Sequence, residues 1–199
     1  MRLPIRYLAA AAALLTATVA ISSPTVSEAP RFAASVSPTS VDHYINLRLR
    51  LAASDAAGRP HLARLLAEQS EALLHYDAAR AWYELARPLA QGDEAFAVRL
   101  GLARLDIFEN PVAAAPALAA LRRERPAVPA VPQLQGRLAL VRGDAPTALT
   151  LFRDAAALAV KAGGEHSGDD LQSASADLSV AAAFAGDMPL AANYAATAG

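Results

Sequence analysis

The chain has 199 residues, 54% of them hydrophobic and 19% charged, and its formal net charge at pH 7 is −1. A near-neutral chain with no basic block offers a nucleic acid no electrostatic attraction. Cysteine is absent from the sequence, which excludes disulfides, thiolate zinc sites, iron–sulfur clusters and lipid attachment at a lipobox cysteine.

The N-terminus has the order of charges and apolar residues typical of a secretory signal peptide. Arg2 and Arg6 precede an uncharged, mainly apolar stretch from Leu8 to Ala20, and that stretch ends in the small residues that signal peptidases accept. We therefore predict a signal peptide over residues 1–20 and a periplasmic or secreted mature protein.

Two alternatives stay open for this segment. The uncharged run from Tyr7 to Ser27 is almost long enough to span a bilayer, so an uncleaved membrane anchor reaching to about residue 27 is the second choice. A mitochondrial presequence is the third, but such presequences are amphipathic and this run is continuously apolar. Residues 21–40 combine prolines and hydroxyl residues without a period, which predicts a flexible linker.

Apolar residues recur at helical spacing through the rest of the chain, and no useful stretch alternates with period two. We therefore predict an all-α fold of about nine helices over residues 41–199, without strands. The predicted helices cover approximately residues 42–54, 60–74, 77–90, 93–107, 110–125, 132–142, 145–162, 169–185 and 187–198.

Prolines, asparagines and glycines mark several of the predicted helix ends. Pro60 suits a first turn, because its missing N–H has no partner there. Pro88 is expected to end or bend the third helix. Asn110 is an N-cap candidate, and an interior Pro116 predicts either a kink or a later start of the fifth helix. Gly163 and the residue after it are expected to stop the seventh helix.

Four similar stretches recur along the chain. Their small anchor residues, Ala79, Ala114, Ala148 and Ala191, are separated by 35, 34 and 43 residues. A period near 34 is typical of arrays of helix-turn-helix repeats. The longest step contains nine extra residues, which we place between the helices predicted at 145–162 and 169–185, where the polar loop over residues 165–170 lies.

These stretches resemble tetratricopeptide repeats, whose unit has a small residue, a turn often written Gly-Asp, an alanine, an aromatic residue and a second alanine. The best-matching unit contains Gly136, Gly143, Asp144, Ala148, Phe152 and Ala155. Leu102 stands where the family has a small residue, and Ala195 replaces an aromatic one. The resemblance implies four units, at about residues 60–92, 93–127, 128–163 and 169–199, stacked into a right-handed superhelix of antiparallel helix pairs.

The resemblance also implies a binding groove lined by the first helix of each unit. The residues at the groove positions are Arg64, Glu68, Arg99, Gln133 and Arg137. Because the guanidinium fork matches a carboxylate, three arginines favour an acidic protein or peptide. We expect a non-catalytic protein–protein interaction scaffold or assembly factor of a bacterial cell envelope. The bacterial placement comes from the alanine-rich composition and the style of the signal sequence.

Two other functions are weighed against this one. The uncapped C-terminal end, with Ala191, Ala192, Tyr194 and Ala195, would suit a self-associating structural protein that forms homo-oligomers. A remote alternative is a hydrolase or metal-binding protein that uses the polar loop over residues 165–170. That loop contains His166, but its aspartates are better explained as helix-capping acids. We therefore predict no catalytic residue, no metal and no cofactor.

Three further groups of residues have structural interpretations. The cluster Arg122–Arg125 is expected to lie in solvent at a helix C-terminus, where basic residues complement the helix dipole. The tripeptide Arg142–Asp144 spells an adhesion motif, but its Gly-Asp half recurs in the last unit, which favours a turn. Trp82 and Tyr83 are expected to pack between helices.

Overall fold

The computed structural model of the protein describes residues 38–162 and 167–198. Within these two ranges the chain forms nine α-helices and no strand, which confirms the predicted all-α class. The predicted signal peptide and most of the predicted linker lie outside the described residues. The helices are α1 (Pro38–Ala53), α2 (Arg59–Ala72), α3 (Tyr76–Ala86), α4 (Gly92–Glu109), α5 (Pro111–Glu124), α6 (Ala130–Val141), α7 (Ala145–Ala162), α8 (Ser167–Phe184) and α9 (Met188–Ala198).

The chain divides into two compact units, the first ending at Ala90 and the second beginning at Gln91. Helices α1 to α3 belong to the first unit, and helices α4 to α9 belong to the second. Neither unit contains, within its described residues, a helix that is long and apolar enough to cross a membrane.

Several helix boundaries differ from the predictions. Helix α1 begins at Pro38, four residues before the predicted start. Helix α3 ends at Ala86, before Pro88, because a proline removes a backbone donor and clashes with the preceding turn. Helix α8 begins at Ser167, so the second half of the predicted polar loop is helical. Residues 163–166 lie outside the described ranges.

Helix α5 begins at Pro111 and runs through Pro116, so the alternative of a later start is wrong. The predicted N-cap is confirmed, because the Asn110 side chain accepts a hydrogen bond from the backbone N–H three residues on, at 3.3 Å. Complete burial of Leu118 and near-complete burial of Leu121 stabilise the helix. A buried leucine contributes about 1.5–3 kcal/mol, which offsets an interior proline that costs about 3 kcal/mol.

The second unit consists of three successive helical hairpins, α4–α5, α6–α7 and α8–α9. The two helices of each hairpin pack against each other, and α6 also packs against α4 and α8. The first helices of the three hairpins therefore lie side by side. The anchor residues Ala114 and Ala148 are fully buried, and Ala191 is 6% exposed. These alanines let the helices approach closely, as the repeated pattern predicted.

The hairpin α6–α7 is packed by a glycine and an aromatic ring. Phe152 is completely buried, and a Cβ atom added to Gly136 would lie 2.5 Å from its ring. In α8–α9 the same two positions hold Ser179 and the exposed Ala195. There the Ser179 hydroxyl donates a hydrogen bond of 2.9 Å to the carbonyl of Ala191 across the hairpin.

Two hairpin turns of the second unit share one geometry. Gly143 and Gly186 have φ angles of +78° and +81°, a left-handed conformation that glycine adopts without steric cost. The carboxylates of Asp144 and Asp187 each accept a hydrogen bond from the backbone N–H three residues on, at 3.1 and 3.0 Å. The Gly-Asp pairs thus end one helix and cap the next, as the turn interpretation predicted.

The first unit packs α1 and α3 against α2. Its core contains Leu47, Leu62 and Leu66, with Trp82 half-buried beside them. The Trp82 indole N–H donates to the Tyr44 hydroxyl at 3.4 Å. This contact joins α3 to α1 and agrees with the predicted packing role of Trp82.

The turn between α2 and α3 uses a leucine where the two matching turns of the second unit use glycine. Leu74 has a φ angle of +61° and is 70% exposed. The His75 N–H donates to the Ser70 carbonyl at 2.8 Å, which closes the same kind of helix-ending turn. A left-handed leucine is sterically strained, because its Cβ crowds the following carbonyl oxygen.

Candidate binding site on the first helices of the hairpins

The five predicted groove residues lie on α2, α4 and α6, which are the first helices of the hairpins α2–α3, α4–α5 and α6–α7. Arg64 and Glu68 lie on α2 in the first unit. Arg99 lies on α4, and Gln133 and Arg137 lie on α6, both in the second unit. Each of the three arginines is paired with a carboxylate of the protein itself.

On α2, the Arg64 guanidinium contacts the Glu68 carboxylate at 2.5 Å, four residues along the helix. Helical residues four apart lie on the same face, so the sequence spacing sets up this pair. The Arg64 side chain is 16% exposed and the Glu68 side chain 41% exposed. The two predicted groove residues of the first unit therefore neutralise each other.

On α4, the Arg99 guanidinium donates to the Glu124 carboxylate at 2.8 Å. Glu124 is the last residue of α5, so the pair joins the two helices of one hairpin. The hydrogen bond, supported by attraction between the charges, raises the pKa of Arg99 and lowers the pKa of Glu124. Both side chains remain about 40% exposed, at 42% and 40%.

Gln133 and Arg137 are brought together by a carboxylate on the neighbouring helix. The Asp177 side chain on α8 accepts hydrogen bonds from Gln133 Nε2 at 2.7 Å and from Arg137 Nε and Nη2 at 3.1 and 2.9 Å. Gln133 Nε2 also donates to the Ser173 hydroxyl at 2.6 Å. The four residues form a network of polar side chains between α6 and α8.

The spacing of the residues explains this network. Gln133 and Arg137 are four apart on α6, and Ser173 and Asp177 are four apart on α8, so each pair lies on one helix face. Because α6 packs against α8, the two faces meet. The matching intervals and opposite charges were visible in the sequence, but the groove prediction considered only the first of the two pairs.

The four-residue basic cluster at the end of α5 does not lie free in solvent as predicted. Arg122 is paired with Asp154 of α7 at 2.5 Å. Arg125 is paired with Asp93 at 2.5 Å, and its guanidinium lies 4.5 Å from the centre of the Phe96 ring. The cluster therefore ties α5 to α4 and α7 through charge pairs and a cation–π contact.

The predicted apolar C-terminal end is only partly exposed. Ala191 is buried, and Tyr194 is half-buried against the core that contains Phe152. The Arg153 guanidinium also donates to the Tyr194 hydroxyl at 3.4 Å. Ala192 and Ala195 face solvent. Half of the residues proposed for self-association thus pack within the protein's own second unit.

Residues 165 and 166 of the loop proposed for the alternative metal or hydrolytic site lie outside the described residues. Among the residues that are described, no group of three or more His, Asp or Glu side chains is placed to hold a metal ion. His43, His61 and His75, which lie on or beside separate helices, are all exposed.

The chain matches no protein-family model, no curated protein and no solved structure. Its function therefore has to be inferred from the helix packing and the side chains described above. Gln133 and Arg137, together with Ser173 and Asp177, form a polar network between two hairpins of the second unit.

Proposed function

We propose that the protein is a non-catalytic binding protein whose stacked helical hairpins form a tetratricopeptide-like right-handed superhelix. The packing of α6 between α4 and α8 is the observation that carries this proposal. Side-by-side first helices create a continuous surface that no single hairpin has. Such a surface suits an extended peptide or an amphipathic helix laid across several hairpins.

The second unit supplies polar groups for such a partner. Arg99, Gln133 and Arg137 project from adjacent first helices, and the exposed side-chain fractions of the two arginines are 42% and 36%. Their carboxylate partners make the surface nearly neutral. An acidic segment would therefore bind by replacing Glu124 or Asp177 with one of its own carboxylates. Charge attraction would then contribute less to the binding free energy than it would with unpaired arginines.

The cell envelope of a bacterium is the setting that we propose, with the protein acting there as a scaffold or assembly factor. Residues 1–20 support export to the periplasm or beyond, and an uncleaved N-terminal segment would instead anchor the protein in the membrane. Fusion of residues 1–40 to a reporter enzyme that is active only outside the cytoplasm tests export. Sequencing the N-terminus of the mature chain distinguishes cleavage from anchoring.

The binding function is tested by capturing partners from the envelope fraction of the source organism. The variant Arg99→Gln with Arg137→Gln removes both charges without placing a new carboxylate beside Glu124 and Asp177. We expect at least a tenfold loss of the captured protein. Arg87→Gln is the matched control, because this arginine also pairs with a glutamate but lies outside the predicted groove. Equal capture by all three proteins would contradict the groove assignment.

Self-association is the second candidate function, and the last hairpin is the region that favours it. Phe184 is 72% exposed and Met188 is 65% exposed, and Ala192 and Ala195 of the same hairpin are exposed as well. Asp187 is the single charged residue between positions 178 and 199. Light scattering of the wild type and of Phe184→Glu with Ala195→Glu tests this candidate, because the charges would disperse an oligomer formed through these residues.

A further inference from the structure

We propose that Gln133 and Arg137 form a carboxylate-binding site and that Asp177 is its internal occupant, which an acidic segment of the partner displaces. This inference rests on the proposed binding function and names the chemistry that the partner must carry. It also makes the contact between α6 and α8 an autoinhibitory one.

The geometry of the donors supports a carboxylate site. Three nitrogen atoms, Gln133 Nε2 and Arg137 Nε and Nη2, lie 2.7–3.1 Å from one oxygen of Asp177. Arg137 Nε also lies 3.3 Å from the second oxygen, so the guanidinium contacts both oxygens and one of them more closely. A guanidinium that contacts both oxygens of a carboxylate adds geometric specificity to the charge attraction.

The site is accessible from solvent. The Arg137 side chain is 36% exposed and the Asp177 side chain is 17% exposed. An incoming carboxylate can therefore approach the guanidinium while Asp177 is still bound. The exchange conserves the number of charge-assisted hydrogen bonds, because one carboxylate replaces another.

One donor is held in place independently of Asp177. Gln133 Nε2 donates to the Ser173 hydroxyl at 2.6 Å as well as to Asp177. When Asp177 leaves, this second bond keeps the amide directed toward the gap between α6 and α8. A site whose donors stay ordered costs a ligand less conformational entropy.

The internal competitor sets a requirement on the partner. Asp177 is attached to the same chain, so its effective concentration at the site exceeds that of a free ligand with a single carboxylate. A partner with several carboxylates gains a second contact at Arg99, whose partner Glu124 is 40% exposed. We therefore infer an acidic segment with at least two carboxylates.

The test uses the full mature chain, acetate, and a hexaglutamate peptide with blocked ends. In Asp177→Ser we expect acetate to shift the NMR signals of the Gln133 side-chain amide and of Arg137 Nε in a saturable way. We expect no such shifts in the wild type at the same acetate concentrations. Hexaglutamate should bind the variant at least tenfold more tightly than it binds the wild type, measured by isothermal titration calorimetry.

The controls separate a binding site from a purely structural contact. A hexaglutamine peptide should bind neither the wild type nor Asp177→Ser. Adding Arg137→Gln to Asp177→Ser should abolish the increase in affinity for hexaglutamate. Asp177→Asn, which keeps the side-chain volume, serves if the serine variant is unfolded by circular dichroism. A folded variant that gains no affinity for acetate or hexaglutamate would overturn the proposal, because Asp177 would then only fasten α8 to α6.

Failure of this inference and failure of the proposed function give different results. If hexaglutamate binds the Asp177→Ser variant no more tightly than the wild type, while envelope capture still depends on Arg99 and Arg137, the groove binds a partner of different chemistry. If capture is independent of both arginines, the groove assignment itself fails.

Discussion

In the second unit, the hairpins α6–α7 and α8–α9 have the same kind of turn between their two helices. Different side chains, however, pack the two helices of each hairpin together. In α6–α7, the Phe152 ring fills a notch left by Gly136. In α8–α9, a hydrogen bond from Ser179 joins the two helices, and the exposed Ala195 stands at the position that Phe152 holds in α6–α7. A repeat can keep its backbone turn while its interior changes, because the turn depends on local hydrogen bonds and the interior on matched volumes.

Phe152→Ala, in hairpin α6–α7, should cause the largest loss of stability. The residue is completely buried, and removing a buried phenylalanine side chain costs about 3–5 kcal/mol through lost burial and the cavity left behind. We expect the free energy of unfolding, measured by urea denaturation followed by circular dichroism, to fall by this amount. Ala195→Gly, at the matching exposed position of α8–α9, should cost only about 1 kcal/mol from helix propensity. Similar losses in the two variants would contradict the comparison.

Gly136→Ala should also destabilise α6–α7, even though alanine is normally the better helix former. The added Cβ would lie 2.5 Å from the Phe152 ring, and overpacking of a core typically costs about 1–3 kcal/mol. Combining Gly136→Ala with Phe152→Leu should cost less than the sum of the two single changes, since the smaller side chain makes room for the methyl group. A Gly136→Ala variant with a raised melting temperature would show that the notch is not needed.

The shared turn geometry predicts equal effects in the two hairpins. Gly143→Ala and Gly186→Ala each force alanine into a left-handed conformation, at a cost of about 1–2 kcal/mol. Because the two φ angles differ by only a few degrees, the losses in unfolding free energy should agree within experimental error. Clearly unequal losses would show that the two turns differ in strain as well as in sequence.

Leu74→Gly in the first unit is the reverse substitution, because it places glycine at a left-handed turn position. It should give the smallest change in stability. Glycine relieves the left-handed strain of the leucine but gains freedom in the unfolded chain, so we expect a net stabilisation of about 0.5 kcal/mol. The side chain is 70% exposed, so little buried area is lost. The measurement is the melting temperature by differential scanning calorimetry, and a clear decrease would indicate that the Leu74 side chain makes a stabilising contact.

The sequence predicted the features that repeat. The 34-residue period marked the buried anchors Ala114 and Ala148, and the two Gly-Asp pairs marked turns, because these positions have the same environment in each hairpin. The helical class followed from the spacing of apolar residues. The start of α8 at Ser167 was missed, since the polar residues of its first turn resemble a loop.

The sequence did not predict the ion pairs between helices. Asp177 was not considered as a partner of Arg137, and Arg122 was expected in solvent rather than beside Asp154. Contacts of this kind depend on how two helices rotate and slide against each other. The relative rotation and shift of two helices are set by the packing of the whole core and not by the spacing of residues along one helix. The sequence therefore indicated the groove residues but not their ion-pair partners.

Trp82 is the single tryptophan of the chain, and it lies in the first unit beside Tyr44. Its fluorescence emission, excited at a wavelength that tyrosine does not absorb, therefore reports on the packing of α1–α3. Circular dichroism in the far ultraviolet averages over all the helices. Recording both signals on one sample during denaturation shows whether the two units melt together or one after the other.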